Sequence, residues 1–276
     1  MLLSIITILA GVITIVFLLL TQICTEWYDF WMILVTFLIA WIVSALFIVI
    51  LIFSYTLTVN KKKEYDKPNK FMRFLIKIVC EMLLQIFRVD VNVRGLEKVP
   101  EDQAVFLVQN HNSYIDPLIT IWTFRFLDIV FIMKKEIMKA PFVSHALYRC
   151  GFPALDRQNN REALKTMVKT KDMIANGTHS VGVYPEGTRS KDGELHEFKA
   201  GSFKIPEKTG CPVVVTVLKN TDKILKRFPF KKTQVYIDVI DVLYADDYLG
   251  ENTPELSESI HKMMKDRLDE LKELDK

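Results

Sequence analysis

The first sixty residues are almost entirely apolar, and they form two uncharged runs. Residues 2–24 make up the first run, and residues 30–59 make up the second. A helix needs about 20 apolar residues to span the hydrocarbon core of a bilayer, so each run is long enough. A short polar turn, residues 25–29, separates them and contains Trp27. This pattern predicts a two-helix transmembrane hairpin over residues 1–60.

Two other interpretations of this region remain open. A cleaved signal peptide is one, but the first run lacks a basic region before it and a second apolar run follows at once. A shallow hairpin that re-enters one leaflet is the other, and it leaves the rest of the chain on the same side of the membrane.

A cluster of cations follows the second run and indicates the orientation. Seven cations lie between residues 61 and 77: Lys61, Lys62, Lys63, Lys67, Lys70, Arg73 and Lys77. Basic residues beside a membrane segment mark the cytosolic side and attract anionic lipid. We therefore expect an integral protein of the cell (inner) membrane, with residues 61–276 on the cytosolic face.

Residues 71–88 show the period of an amphipathic helix. The apolar positions recur at steps of three and four residues: Phe71, Phe74, Leu75, Ile78, Met82 and Ile86. The opposite, polar face is predicted to carry Arg73, Lys77, Glu81, Gln85 and Arg88. A basic amphipathic helix next to a membrane anchor is expected to lie in the headgroup plane. The alternative is that its apolar face packs on the following domain, and one helix can do both. Residues 61–88 are thus predicted to be a basic collar and an interfacial helix.

From residue 89 onwards, short apolar strands alternate with helices. The predicted strands are residues 89–93, 105–109, 129–133, 152–155, 180–184, 213–218 and 234–242, and the predicted helices are residues 117–126, 161–176 and 254–274. Such an order predicts an α/β domain over residues 89–276, with a mixed sheet covered by helices and functional loops at strand ends.

Composition narrows the chemistry. The net charge is only +3, and its concentration in the collar indicates a lipid surface rather than nucleic acid as the partner. The four cysteines, Cys24, Cys80, Cys150 and Cys211, are widely spaced, so neither a zinc site nor a disulfide framework is expected. No metal or nucleotide cofactor is implied.

The first candidate site follows the predicted strand 105–109. His111 and Asp116 lie across a tight strand-to-helix turn, so the carboxylate can fold back toward the imidazole and fix its tautomer for general-base work. The alternative is that Asp116 only caps its helix. The chain has no G-x-S-x-G elbow, and Ser113 is too close to His111 to be assigned as its nucleophile. A His–Asp pair without an enzyme nucleophile favours deprotonation of a hydroxyl on the substrate.

The second candidate site follows the predicted strand 180–184. Glu186, Gly187, Thr188 and Arg189 form a turn in which the guanidinium can grip phosphate and the glycine admits close approach. The alternative is a surface turn in which Glu186 and Arg189 pair with each other. Other cations occur near strand ends: Lys134, Lys135, Arg157 and Lys199. Several such cations on one face would form an anion site.

Four sequence blocks, in order, resemble the glycerolipid acyltransferase family, and most of all its bacterial-type 1-acyl-sn-glycerol-3-phosphate acyltransferases. The first block is residues 110–116 (Asn-His-Asn-Ser-Tyr-Ile-Asp). The second is residues 151–157, and it ends in Asp-Arg. Residues 184–190 (Tyr-Pro-Glu-Gly-Thr-Arg-Ser) and 211–215 (Cys-Pro-Val-Val-Val) follow. The chain departs from the family's frequent residues at Asn112, at Val215-Thr216, at Pro206 and at Ala154-Leu155, none of which removes a catalytic group.

The resemblance implies a fold, a reaction and roles. His111 would be the general base and Asp116 its orienting carboxylate. The residues that would bind the acceptor's phosphate and glycerol are Arg157, Glu186, Gly187, Thr188 and Arg189, and Lys134 (or its neighbour Lys135) would be a further phosphate contact. Lys199 is a candidate for substrate binding from its position in the sequence, beside Gly201. The acyl donor would be a thioester on coenzyme A or acyl carrier protein, as co-substrate.

Several activities are compatible with this resemblance. The leading hypothesis is acylation of the membrane lipid lysophosphatidic acid at its sn-2 hydroxyl, which gives phosphatidic acid. The same chemistry on another lysophospholipid or on glycerol 3-phosphate is the alternative. Two further alternatives are a non-catalytic protein that binds anionic lipid and a hydrolase that uses water as the acceptor.

Overall fold

The computed structural model describes residues 2–21, 30–63, 65, 68–190 and 192–273. The two apolar runs form helices α1 (Leu2–Thr21) and α2 (Phe30–Leu57), which pack against each other. Both are long and apolar enough to span a bilayer, and only 22% and 11% of their most apolar windows are buried. They fit the predicted transmembrane hairpin. The predicted turn at residues 25–29 and Cys24 lie outside the described residues.

Helix α3 (Lys70–Ile86) packs on the domain that follows it. It begins at Asn69, whose side chain accepts a hydrogen bond from the Met72 N–H. Three of its buried residues belong to the same core as the sheet: Met72, Cys80 and Leu84. Three apolar residues remain exposed: Phe71, Phe74 and Ile86. The helix therefore has a buried face and a second apolar surface that is free.

Arg73 lies on the buried side of α3, although the helical pattern placed it on the polar face. Its guanidinium pairs with the Asp128 carboxylate and also donates to the Asp128 carbonyl at 3.3 Å. Lys77, one turn further, donates to the Arg125 carbonyl at 2.7 Å. These bonds attach the helix to a loop of the α/β domain, and periodicity alone does not reveal such a partner.

Eight strands and seven helices follow α3 in the described residues. The strands are β1 (Val89–Arg94), β2 (Phe106–Gln109), β3 (Ile129–Phe131), β4 (Met133–Lys134), β5 (Ala154–Leu155), β6 (Ser180–Val183), β7 (Val213–Lys219) and β8 (Thr233–Leu243). The helices are α4 (Asp116–Thr123), α5 (Val143–Arg149), α6 (Asn160–Ala175), α7 (Lys204–Thr209), α8 (Ile224–Arg227), α9 (Ala245–Tyr248) and α10 (Thr253–Glu273).

Six strands form one mixed sheet in the order β1-β8-β7-β2-β6-β3. Strands β7, β2, β6 and β3 run parallel, whereas β8 is antiparallel to β7 and β1 is parallel to β8. The central strands are fully buried, as expected for a sheet covered on both faces. The predicted fold class, a mixed α/β sheet covered by helices, is confirmed.

Two predicted strands differ from the structure. Of the predicted strand 129–133, only residues 129–131 belong to the main sheet. The backbone N–H of Met133 donates instead to the Pro153 carbonyl at 2.9 Å. Strands β4 and β5 pair in a separate two-stranded sheet, so the predicted strand 152–155 shrinks to Ala154–Leu155. An apolar run does not specify which sheet it joins, because that depends on a distant partner.

The topology brings the two polar stretches together. Strand β2 lies between β7 and β6 and is parallel to both, with Phe106 aligned to Val213 and to Val181. Carboxyl ends of parallel strands meet at one edge of a sheet. The residues after Gln109 and those after Val183 therefore share this edge, which we call the carboxyl edge.

Candidate active site

One carboxylate oxygen organises the loop after β2. Asp116 is fully buried, and its Oδ2 accepts hydrogen bonds from the Asn112 N–H at 2.7 Å and the Ser113 N–H at 2.8 Å. The same oxygen lies 2.8 Å from His111 Nδ1. Asp116 makes no side-chain cap on α4, which starts at Asp116 itself. The carboxylate is thus turned back onto its own loop, as the spacing allowed.

This arrangement fixes which nitrogen of His111 is available. A carboxylate that already accepts two N–H groups holds the proton of Nδ1 between itself and the ring, so Nε2 carries the free lone pair. No residue that the structure describes makes a hydrogen bond to Nε2, and the side chain is 19% exposed. The imidazole can therefore take a proton from a bound hydroxyl.

Asn110 anchors the loop to the neighbouring strand. Its side chain donates to the Leu218 carbonyl at 2.9 Å and accepts from the Leu218 N–H at 2.7 Å. The Asn112 side chain donates to the same carbonyl at 3.3 Å. Because Asn110 is buried, both of its bonds stabilise one backbone path toward His111.

Two aromatic rings stack beneath the imidazole of His111. The His111 ring lies on Tyr184 with centroids 4.1 Å apart and an angle of 16° between the planes. Tyr184 lies in turn on Phe131, at 5.0 Å and 7°. Gly182 makes room for this stack, since a Cβ there would come within 2.4 Å of the Phe131 ring. Burial raises the pKa of the Tyr184 hydroxyl well above its usual value, so this ring stays neutral.

Glu186 connects the two polar stretches. It is 4% exposed, and its carboxylate accepts from the His111 N–H at 2.9 Å and from the His196 N–H at 3.1 Å. Burial raises the pKa of this carboxyl, and the two N–H donors act in the opposite direction. The Ser190 N–H donates to the His111 carbonyl at 2.7 Å, which adds a second tie. Glu186 is bonded to backbone here rather than paired with Arg189.

Two predicted cations meet at Gly187. Arg157 Nη1 donates to the Gly187 carbonyl at 2.6 Å. The Lys199 side chain also lies against this residue, since a Cβ on Gly187 would lie 2.9 Å from Lys199 Nζ. Gly187 itself has φ of +73°, a conformation that favours glycine. A guanidinium and an ammonium thus flank this turn, as an anion site requires.

Arg189 occupies a different position, above an exposed ring. Its guanidinium lies 3.5 Å from the ring centroid of Tyr114 and donates to the Tyr114 hydroxyl at 2.8 Å. Tyr114 is 70% exposed and belongs to the same loop as His111. Arg189 is therefore held on the His111 side of the site by stacking as well as by charge.

The remaining predicted residues are less closely associated. Lys134 lies on β4 beside Leu155, and its ammonium is 3.3 Å from Glu136. Lys135 instead pairs with Asp156 at 2.9 Å, and this bond raises the pKa of Lys135. Thr188 is exposed at the turn. Lys134 thus has the longer ion pair of the two lysines, and its role in substrate binding stays a prediction.

Three residues that shape the site were not identified from the sequence: Tyr184, which stacks on His111; Tyr114, which contacts Arg189; and Asn110, which anchors the His111 loop to Leu218. Each lies inside or next to one of the four sequence blocks, and those blocks were the signal that could have identified them.

The described residues contain no cluster of three or more His, Cys, Asp or Glu with metal-binding geometry. Burial raises the pKa of the thiols of Cys80 and Cys150 to about 12, so both stay protonated.

Known proteins are similar to this chain in sequence and in structure. The family model described as Acyltransferase matches residues 90–219. The 1-acyl-sn-glycerol-3-phosphate acyltransferase of Borreliella burgdorferi is 33% identical over 66% of this chain and 74% of its own length. The chloroplastic LPAT1 enzyme of Arabidopsis thaliana is 34% identical over 57% of this chain, but the match spans only 43% of that longer protein.

A solved structure has the same fold. The crystal structure of the 1-acyl-sn-glycerophosphate acyltransferase PlsC from Thermotoga maritima aligns with a TM-score of 0.61 and 25% identity. The alignment covers 72% of this chain and 79% of that one.

The ring stack predicts a specific effect on turnover. Tyr184→Leu removes the flat surface beneath the imidazole, so we expect the turnover number to fall roughly threefold to tenfold, the range of one aromatic contact. The Michaelis constants should change little. Steady-state kinetics of acyl transfer measure both. Tyr184→Phe, which keeps the stack, is the control and should turn over at nearly the wild-type rate. Equal losses in the two variants would contradict a role for stacking.

Proposed function

The chain belongs to the family of 1-acyl-sn-glycerol-3-phosphate acyltransferases, and on this premise we propose its reaction. The protein moves a fatty acyl group from a thioester to the free sn-2 hydroxyl of 1-acylglycerol 3-phosphate, and the product is phosphatidic acid. The observation that carries this proposal is the His111 Nδ1–Asp116 Oδ2 contact of 2.8 Å, which leaves Nε2 as the base.

The chemical step needs no covalent enzyme intermediate. Nε2 of His111 takes the proton of the acceptor hydroxyl while the hydroxyl oxygen attacks the carbonyl carbon of the thioester. The tetrahedral intermediate then collapses with cleavage of the C–S bond, and the imidazolium returns the proton to the leaving thiolate. Asp116 stabilises the imidazolium between these two transfers because its buried charge lies against Nδ1.

The acceptor phosphate binds where the cations meet. Arg157 and Lys199 both lie against Gly187, which has no side chain to keep a phosphate away. Arg189 reaches the acceptor from the His111 side, where it rests on Tyr114. Glu186 acts on the acceptor indirectly, because its carboxylate already accepts two backbone N–H groups and holds both loops in register. Lys134 and Thr188 complete the acceptor site as further contacts.

The membrane hairpin suits a substrate and a product that both stay in a bilayer. The α/β domain lies on the cytosolic face of the cell membrane, beside the basic collar. The donor thioester, on coenzyme A or on acyl carrier protein, therefore arrives from the cytosol while the acceptor hydroxyl arrives from the lipid. No other cofactor takes part in this scheme.

An acceptor panel tests the proposed reaction. Purified protein in mixed micelles is offered lysophosphatidic acid, glycerol 3-phosphate and a lysophospholipid with a larger headgroup, each with labelled acyl-coenzyme A and acyl carrier protein thioesters. We expect labelled phosphatidic acid from lysophosphatidic acid. His111→Ala should lower the rate at least about 10²- to 10⁴-fold, the usual contribution of a general base. An unchanged melting temperature of this variant would show that the fold is intact.

Other outcomes of the panel have separate meanings. Product from a different acceptor would keep the mechanism and change the substrate. Free fatty acid in place of phosphatidic acid would mean that water is the acceptor, and the protein would then be a hydrolase. A His111 variant with nearly normal activity would contradict the mechanism.

The position of Arg189 predicts a binding defect. Arg189→Ala should raise the Michaelis constant for lysophosphatidic acid, by about tenfold for one lost charge-assisted hydrogen bond, with a smaller change in the turnover number. Arg189→Lys keeps the charge but loses the planar stack on Tyr114, so it should restore only part of the affinity. A variant in which turnover falls while the Michaelis constant stays unchanged would assign Arg189 to the chemical step instead.

A further inference from the structure

The connection between β7 and β8, residues 220–232, is unusually basic and exposed, and we call it the β7–β8 segment. It contains five cations and one acid. Residues 225–232 are all exposed, and three of them are large and apolar: Leu225, Phe228 and Phe230. Phe230 is 85% exposed, more than any other large apolar side chain that the structure describes. Exposed apolar side chains that cluster in one short segment are typical of an interaction site.

The segment lies at the carboxyl edge, the same edge of the sheet as His111. It leaves β7 just after Leu218, whose backbone binds Asn110. Strand β8 then starts at Thr233 and runs antiparallel to β7, so its first residues also lie at this edge. If the acceptor is a bilayer lipid, as the proposed function states, this edge must face the membrane.

The same segment is joined to the far end of α3. Phe228 packs on Phe87 with ring centroids 5.3 Å apart. Arg88 Nη1 donates to the carbonyls of Pro229 at 3.2 Å and Phe230 at 3.3 Å. The far end of α3, where Ile86 is exposed, therefore adjoins the segment.

The near end of α3 is fixed to the membrane hairpin. Phe71, in the first turn of α3, packs on Tyr55 in the last turns of α2 at 5.1 Å. The 17 residues of α3 separate the two ends by about 25 Å, at 1.5 Å per residue. A second contact at the far end would hold the active edge against the lipid.

We propose that the β7–β8 segment is a second membrane contact, in which Phe230 and Leu225 enter the interface of a bilayer that contains anionic lipid. Aromatic and aliphatic side chains flanked by cations bind to such interfaces, because the apolar groups enter the acyl boundary while the cations meet the headgroups. Arg227 and Lys231 form no ion pair with any residue that the structure describes, so their charges are available to phosphates. By contrast, Lys226 pairs with Asp222 and Lys232 with Asp90.

The test places an environment-sensitive fluorophore at the tip of the segment in the full-length protein. Phe230→Cys is labelled after reconstitution into vesicles with and without anionic lipid, with Cys24→Ser as background because Cys80, Cys150 and Cys211 are buried. Leu249→Cys is the matched control. Leu249 is 53% exposed but follows the far end of β8.

The expected result is a shift to shorter wavelength and quenching by spin-labelled lipid at position 230, with neither effect at position 249. Arg227→Glu together with Lys231→Glu should weaken the quenching at 230. In vesicles, Phe230→Asp should lower acyl transfer on the order of tenfold, the loss for one apolar side chain removed from the interface. With a short-chain, water-soluble acceptor the same variant should match the wild type.

A fluorophore at 230 that stays in water while the vesicles make phosphatidic acid would overturn the second membrane contact and leave the proposed reaction intact. Shielding that requires acyl carrier protein, or cross-linking between two copies, would also overturn it in favour of a protein partner. Membrane insertion at 230 in a protein that transfers no acyl group would support the contact and contradict the proposed function.

Discussion

The site depends on one buried oxygen atom. Asp116 Oδ2 accepts from the backbone N–H groups of Asn112 and Ser113 and contacts His111 Nδ1. Such a carboxylate is costly to bury unless it is bonded, and these donors compensate Oδ2, whereas the buried Oδ1 has no hydrogen-bond partner among the described residues. The loop can close in this form only if Asp116 turns away from the N-terminus of α4. The chain path, the ring orientation and the tautomer are therefore fixed by the same atom.

The surrounding structure limits how far that loop can move. Asn110 binds both backbone groups of Leu218, and Glu186 binds the N–H of His111 from the adjacent loop. These bonds cross from β2 to its neighbours β7 and β6 in the sheet. The imidazole is supported from below by Tyr184. Pre-organisation of this kind reduces the reorganisation that the reaction requires.

Local patterns revealed the elements of the fold well but not their distant partners. Uncharged runs indicated α1 and α2, and apolar runs bounded by turns indicated the six strands of the main sheet. Helix α6 ends at the Asn176 cap, and Gly177 directly after it has φ of +63°, a conformation that favours glycine. The two-stranded sheet of β4 and β5 was missed, because its existence depends on a contact between Met133 and Pro153 that no local pattern encodes. Arg73 was misplaced on α3 for the same reason, since its partner Asp128 lies 55 residues away.

In the candidate site too, contacts within one loop were predictable from the sequence, whereas contacts between distant residues were not. The spacing of His111 and Asp116 predicted their contact, because both lie in one short loop. The separation of the roles of Lys134 and Lys135 was not predictable, since it depends on Asp156 in another strand's loop. The stacking of Tyr184 under His111 required knowledge that β6 follows β2 in the sheet. Residue types indicated the chemistry, whereas the three-dimensional neighbours determined which atoms perform it.

The most direct test of the central claim is the protonation of the His111 ring. Nitrogen-15 NMR of histidine-labelled protein in lipid nanodiscs can assign the proton of the neutral imidazole, and among the five histidines the signal of His111 is the one absent from His111→Gln. We predict that the neutral ring carries its proton on Nδ1, next to Asp116 Oδ2, and leaves Nε2 unprotonated. A neutral ring with its proton on Nε2 would contradict the role of Asp116 and leave the acceptor hydroxyl without its base.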